Sequence, residues 1–370
     1  MKNKLVLIVF GLMFSACATY EVKYKNLEKF QSTAYPGDKK LSQRFYLIGD
    51  TGYEKLEEAP PGILAFKAFA ESLDTQNDKV IILGDNIYPA GLPSKGEKNR
   101  NQAKEIIDRQ TSNLAFFEGD IHFIPGNHDW YSEGIQSLEN QEKQIKKVLK
   151  DQGEAWLPTP GCGLSSVDIS DDVHLIILDS QWIIANWDQN PLINRNCDEI
   201  KTLDQFYEEF ETELKKNQNK TTLVALHHPL YTNGVHGGTY EFSKHLFPSQ
   251  RKIPLPGLAS LATLIRVSGG VSVQDTQNNQ YQSMVKRISA IASRWNRVVF
   301  ASGHEHSLQY IEHDLIKQIV SGSGSKKSYA KLGLDGEFAY PGYGFAVGRK
   351  QMLRKFISSS MNSIGIKRVM

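Results

Sequence analysis

Val80-Ile81-Ile82-Leu83-Gly84-Asp85-Asn86 is the stretch that decides the fold. Four apolar residues, three of them β-branched, run without alternation and stop at a glycine and two polar residues. A short run of this kind is a strand buried on both faces. The pattern recurs along the chain. Arg44-Phe45-Tyr46-Leu47-Ile48 precedes Gly49-Asp50-Thr51-Gly52, and Ile121-His122-Phe123-Ile124 precedes Pro125-Gly126-Asn127-His128-Asp129. Val173–Leu178 precedes Asp179-Ser180, Thr222–Leu226 precedes His227-His228-Pro229, and Val298-Val299-Phe300 precedes Ser302-Gly303-His304. Helical patterns lie between these runs, near Gly62–Leu73, Ala103–Phe117, Ile135–Leu149, Leu203–Lys216 and Tyr281–Trp295. Strands alternating with helices predict an α/β layered domain.

Composition narrows the class. The chain has 370 residues, 40% hydrophobic and 23% charged, with 43 Lys+Arg against 41 Asp+Glu for a net charge of +2. These are ordinary globular values, which exclude a disordered tail, a collagen-like repeat and a disulfide-dense mini-protein. A nucleic-acid binder would carry a clear basic excess, so none is expected as a partner.

The residues that close the strands are a selected chemical set: Asp50, Asp85, Asn127, His128, Asp129, His227, His228, His304 and His306. Ligands of open α/β sheets bind beyond the carboxyl ends of strands. Carboxylates, imidazoles and an amide gathered there suit first-row metal ions. A single aspartate after a strand is usually a cap and a single histidine usually core. The occurrence of so many at successive strand ends is what points to a site.

Gly49-Asp50-Thr51-Gly52, Gly84-Asp85-Asn86-Ile87-Tyr88, Gly126-Asn127-His128-Asp129, His227 and Gly303-His304-Glu305-His306 resemble, in order, the five signature blocks of the calcineurin-like metallophosphoesterases. An ordered set of blocks is far more specific than any one of them. The first block in most of that superfamily is Asp-x-His. Here Gly52 stands at the His position and Tyr88 follows the second aspartate, which resembles the purple acid phosphatase branch, of the tartrate-resistant type. The resemblance spans about residues 43–347 and implies a four-layer α-β-β-α sandwich with a single catalytic domain.

Carried over residue by residue, the resemblance implies two metal ions. Fe(III) would lie on Asp50, Asp85, Tyr88 and His306, and a divalent ion (Fe, Zn or Mn) on Asp85, Asn127, His227 and His304, with Asp85 bridging. The implied chemistry is hydrolysis of a small-molecule phosphate ester, in which the metals clamp phosphate and activate water. His128 is the implied general acid, with Asp129 expected to orient it, and His236 resembles a second phosphate-facing histidine of the animal-type members. His228 is second to the ligands or merely structural, and Asp179 is expected to cap a helix. Two alternatives stand beside this reading. One is a phosphodiesterase or nucleotide pyrophosphatase on the same metals, the other a non-catalytic surface lipoprotein.

The remaining segments carry separate expectations. Lys2 and Lys4 precede an apolar run, Leu5–Phe14, too short for the ~20 residues of a membrane span and typical of a secretory signal. Phe14-Ser15-Ala16-Cys17 resembles a bacterial lipobox, the alternative being an ordinary cleaved signal with an incidental cysteine, so residues 1–16 are expected to be a signal peptide and 17–42 a tether from a lipid on Cys17. The expected location is an exported, membrane-anchored protein of the periplasm or cell surface. Cys162 and Cys197 either form one bridge or are two buried thiols. Tyr231–Gln280, rich in glycine and proline, is expected to be a lid or binding loop, or else an inert insertion. From Arg349 to Met370 there are six basic residues and no acidic one, which is a membrane-facing tail or a shifted or truncated gene end, so residues 348–370 are a tail of uncertain status. Setting aside the two signal lysines and this tail leaves 35 basic against 41 acidic residues, a body of charge −6. Any attraction for phosphate must therefore be local.

Overall fold

A computed structural model describes residues 21–27, 43–349 and 365–368, apart from 54, 56, 186, 188–189, 191, 242–243, 245–257, 262–263 and 266–271. The predicted signal segment and Cys17 lie outside these residues, as does most of the 17–42 segment.

The strands assemble into two sheets. In the smaller, β2 (Arg44–Ile48), β3 (Lys79–Ile82) and β4 (Asp120–Phe123) run parallel. β12 (Gly344–Arg349) pairs antiparallel with β2 and carries β13 (Gly365–Arg368) on its outer edge. In the larger, β6 (Val173–Leu178), β7 (Thr221–Leu226), β8 (Val298–Ser302) and β10 (Ile316–Ser321) are the parallel centre. β5 (Leu164–Ser170) closes one side, while β9 (Leu308–His313), β11 (Gly336–Tyr340) and β1 (Lys23–Tyr24) extend the other. Seven described helices accompany them: α1 (Pro61–Ala70), α2 (Arg100–Leu114), α3 (Asn127–Trp130), α4 (Ile135–Val148), α5 (Ser180–Ile184), α6 (Leu203–Lys216) and α7 (Asn279–Ala292).

Strand periodicity sorts the side chains into three apolar layers. Phe45, Leu47, Ile81 and Leu83 face Leu175, Ile177, Leu223, Ala225, Val299 and Ala301 between the sheets. Their neighbours Tyr46, Ile48, Val80 and Ile82 turn outward onto α1, α2 and α4. On the far side Ile176, Leu178, Val224, Leu226 and Phe300 pack under α5, α6 and α7. Because each central strand is buried on both faces, its sequence cannot alternate, which is why the runs are continuous. The result is the expected four-layer α-β-β-α sandwich.

Two end segments are described in part. Within 17–42, Lys23–Tyr24 is a strand paired with Ala339 and Phe338, so at least this part of the expected tether is held to the sheet. Gly365–Arg368 of the basic tail pairs with Gly344–Val347 and is strand in the described structure, while the residues between lie outside it.

The two sulfurs are bonded: Cys162 and Cys197 form a disulfide across a separation of 35 residues, at the edge of the core under α5 and α6. Loop-closure entropy for that separation predicts that the double Cys→Ser variant loses about 3 to 4 kcal/mol of stability, read from the urea midpoint. An unchanged midpoint would show that the bridge does not form in solution.

Candidate metal centre

Strands of both sheets end on one side of the molecule, and the turns that follow them interlock. Asp50 N–H donates to Gly84 O at 3.0 Å, Gly49 N–H to Ser321 O at 2.7 Å, and Gly303 N–H to His227 O at 3.1 Å. Three of the residues these turns present, Asp50 (φ 58°), Asp85 (φ 55°) and His304 (φ 66°), hold left-handed backbone conformations. Such strain is sparsely populated for residues other than glycine and collects at functional sites.

Glycines make the close approach possible. A methyl group on Gly126 would overlap the Asp85 backbone nitrogen and Oδ1. One on Gly52 would strike the Asn86 carbonyl, against which Gly52 docks by donating its N–H to Asp85 O (3.0 Å) and accepting from Tyr88 N–H (2.8 Å). Gly52 and Tyr88 therefore belong together. The missing side chain lets the β3 loop descend, and the descent carries the Tyr88 phenol to Asp50 Oδ1 at 2.9 Å and His306 Nε2 at 3.3 Å.

One oxygen or nitrogen each from Asp50, Asp85 and His227 lies within 4.8 Å of the others, and all three residues are buried. His304 Nδ1 sits 3.3 Å from His227 Nε2, Asn127 Oδ1 3.1 Å from it, and Asp85 Oδ1 3.4 Å from it. The protons on these rings are committed elsewhere. His227 Nδ1 donates to Leu83 O at 2.7 Å and His304 Nε2 to Gln274 O at 2.9 Å. Asn127 Nδ2 donates to the Tyr131 hydroxyl at 2.7 Å, which turns its carbonyl oxygen inward. What converges is a set of lone pairs, acceptors facing acceptors, with backbone carbonyls fixing the tautomers in the manner of metal-ligating histidines.

The electrostatics state the same demand. Burial opposes charge on both partners, yet the Asp85 carboxylate beside it raises His227 to about 9, while His227 in turn holds Asp85 well below the usual carboxylate range. A cation among these atoms answers the field that otherwise recruits a proton. His304 and His228 are driven down, by burial and then by neighbouring histidines, His228 to about 3. Burial, then Asp50, keeps the Tyr88 phenol far above its ordinary value, so forming a phenolate there requires a positive ion. The donor set fits metal, with carboxylates and phenol on one side and amide and imidazoles on the other.

His128 stands at the rim with its ring 4.3 Å from Tyr88 and 4.9 Å from Tyr131. Its Nδ1 donates to Pro89 O at 2.6 Å, and its Nε2 is 4.0 Å from Asp85 Oδ2. The expected partnership with Asp129 is corrected here. Asp129 turns inward and accepts from the backbone N–H groups of Gly126 (2.7 Å), Asn86 (3.0 Å) and Ile87 (3.2 Å). It braces the loop carrying Asp85 and Tyr88, and the Pro89 carbonyl orients His128. Adjacent residues on a helical turn point about 100° apart, so neighbours in sequence do not face each other.

His236 does reach the centre. Its ring lies 4.1 Å from that of His304, and its Nδ1 is 3.0 Å from Asp275 Oδ1. His236 and its neighbours are held by Glu305, a buried carboxylate accepting from the N–H groups of Val235 (3.1 Å), His236 (2.7 Å) and Gly237 (3.3 Å). Asp179 caps α5, accepting from Trp182 N–H at 3.0 Å, as expected. Glu305, Asp275, Gln274 and Tyr131 were not legible as site residues. Only Glu305 carried a signal, by lying inside the last block. Lys326, with Nζ 3.3 Å from the Tyr88 ring centroid, adds a cation at the rim.

The site and the sandwich define a metal-dependent phosphoesterase. The chain belongs to the calcineurin-like phosphoesterase family, whose model matches residues 43–255, and it is a hydrolase of phosphoric esters rather than a non-catalytic surface protein. Among curated proteins it is similar to purple acid phosphatase 7 of Arabidopsis thaliana, 24% identical over 319 residues, 81% of this chain and 76% of that one. It is similar also to purple acid phosphatase 17 of the same plant, 23% identical over 298 residues, 77% and 69% of the two chains. Among solved structures, a purple acid phosphatase from yellow lupin (Lupinus luteus) seeds superposes with a TM-score of 0.47 at 13% identity, covering 85% of this chain and 50% of that one.

Proposed function

We propose that this enzyme is a binuclear, acid-phosphatase-like monoesterase. The observation that carries the reading is the convergence of oxygen and nitrogen atoms from Asp85, Asn127, His227 and His304 beside a second group, Asp50, Tyr88 and His306, with Asp85 close to both. The harder, more anionic group suits Fe(III) and the neutral group a divalent ion. When bound, two such ions would supply Lewis-acid chemistry, stabilising charge on the phosphoryl oxygens and making water nucleophilic near neutral pH.

The chain's own residues supply the rest. His128, held through Nδ1 by Pro89 O, presents Nε2 to the departing oxygen and gives it a proton. His236, fixed through Nδ1 by Asp275, directs its other nitrogen toward the phosphate. Glu305 and Asp129 hold the two loops that carry these groups. The body's acidic balance leaves attraction for phosphate to the metals, these histidines and Lys326.

A general acid matters most when the leaving group is poor. His128→Ala is expected to lower kcat by about 100- to 10,000-fold on alkyl phosphates and much less on p-nitrophenyl phosphate. Equal losses on both would contradict the assignment. The same panel, extended to bis(p-nitrophenyl) phosphate and nucleoside triphosphates, separates a monoesterase from a diesterase or pyrophosphatase. Tyr88→Phe is expected to abolish a tyrosinate-to-iron absorption band in the visible. Colourless iron-loaded parent protein would refute the ferric assignment.

The reading includes export. The Cys162–Cys197 disulfide supports an oxidising compartment, and the lipobox-like Ser15-Ala16-Cys17 supports a lipid anchor there. Among the described residues no helix is long and apolar enough to cross a membrane. Cys17→Ser is the test, since a protein that stays in the membrane fraction after that change is not held by a lipid on Cys17.

A further inference from the structure

His228 is fully buried beside the centre, yet the phosphatase reading gives it no task. Its backbone N–H donates to Ser180 Oγ at 2.9 Å, and the same hydroxyl meets its Nδ1 at 2.8 Å. Its Nε2 lies 2.5 Å from Gln274 Oε1. The Gln274 amide nitrogen donates onward to Gln181 Oε1 at 3.0 Å, which fixes the amide's orientation and makes Oε1 the acceptor. The proton between His228 and Gln274 therefore sits on His228 Nε2, and His228 Nδ1 accepts from the Ser180 hydroxyl. Both ring nitrogens of a neutral His228 are satisfied in this way.

Gln274 is held from two sides by its side chain, while its backbone carbonyl accepts the His304 Nε2 proton at 2.9 Å. That bond leaves His304 Nδ1 proton-free and aimed at the lone-pair cluster, 3.3 Å from His227 Nε2. The His228 and His304 rings also pack 4.5 Å apart. Gln274 belongs to the segment Tyr231–Gln280, so part of what reads in the sequence as a lid or loop is a support of the metal centre.

We propose that His228 and Gln274 are positioning residues for the divalent-metal half of the centre. Ser180 orients His228, His228 fixes the Gln274 amide, and Gln274 O fixes the tautomer and rotation of His304. The inference rests on the binuclear reading. It goes beyond it by making the insertion a determinant of metal affinity at one of the two sites. Outer partners of ligating histidines typically contribute about 10- to 100-fold in metal affinity.

The test is a calorimetric titration of chelator-treated full-length protein with Zn2+. In Gln274→Ala, which keeps the backbone carbonyl but frees the side chain, one of two Zn2+ affinities is expected to weaken by about 10- to 100-fold, with the other unchanged. His228→Phe is expected to do the same, and Gln274→Glu, which keeps an acceptor for His228 Nε2, to recover most of the loss. A purely structural role would lower the melting temperature without separating the two sites. Retained affinity at both sites in Gln274→Ala, or equal weakening of both, overturns the proposal, and it does so even if His228→Phe does not fold. A parent protein that holds fewer than two metals after reconstitution with both iron and zinc refutes the binuclear reading itself, and the positioning role with it.

Discussion

Asp85→Ala is expected to lower kcat/KM for aryl phosphates by about ten-thousand-fold or more, a loss of about 5 to 6 kcal/mol of transition-state stabilisation. Asp85 groups with Asp50 on one side and His227 on the other, one ligand atom of each lying within 4.8 Å of the others. Its Oδ1 lies 3.4 Å from His227 Nε2 and accepts from His128 N–H at 3.0 Å, and its Oδ2 is 4.0 Å from His128 Nε2. On the proposed two-metal reading, removing it takes away the shared ligand, the anion paired with His227 and an acceptor that holds the backbone of His128. The expected signature is loss of both metals together with turnover, checked by elemental analysis and by steady-state kinetics on one preparation. Turnover kept within tenfold of the parent would sink a mechanism through a shared carboxylate. Asp85→Asn, which preserves shape, is expected to retain the fold while losing nearly as much activity, separating charge from packing.

The largest stability effect is expected far from the site. Arg44 and Asp78 form a buried pair, with Arg44 Nε 2.6 Å from Asp78 Oδ2 and side-chain exposures of 8% and 2%. Arg44 N–H and the Tyr46 hydroxyl add bonds to the same carboxylate at 2.8 and 3.2 Å. Burial already pushes the Asp78 carboxyl up, with Arg44 acting against that push. Arg44→Met leaves the carboxylate buried without its counter-charge, at an expected cost of about 3 to 5 kcal/mol read from urea unfolding at neutral pH. The sign of its pH dependence follows. A carboxyl whose folded pKa is raised above its unfolded value opposes folding when ionised, so the variant's defect is full at high pH. It shrinks as pH falls through the raised pKa. A defect that does not shrink in acid would show that lost packing of the arginine stem, not the bare charge, sets the cost. Arg44→Met with Asp78→Asn is expected to recover part of the stability at neutral pH.

The strands and their closing turns were legible because burial on both faces forbids alternation and because the polar residue after each strand has one direction to point. Asp50, Asp85, Asn127, His227 and His304 are therefore recognisable as one group from their positions at successive strand ends. The coupled change of Gly52 and Tyr88 was legible as a pattern, but its cause, a backbone approach with no room for a Cβ, needed the fold. The resemblance implied that Asp129 orients His128, whereas a helical turn sends the two side chains apart. Gln274 and Asp275 were invisible for a different reason. They sit at the end of a segment without periodicity and act on His304 and His236 through bonds that span 30 and 39 residues. Nothing local to Gln274 or Asp275 encodes those partners. Arg44 with Asp78 was hidden in the same way, since a charged residue opening an otherwise apolar strand looks like an exposed end until the pairing is seen.

We propose that Asp50, Asp85, Tyr88, Asn127, His227, His304 and His306 together form one centre for two metals. Elemental analysis of purified full-length protein, reconstituted with iron and zinc and freed of loosely bound ions, tests it most directly. About two tightly held metals per chain are expected, with both lost in Asp85→Ala. A parent protein that holds one metal or none under those conditions contradicts it.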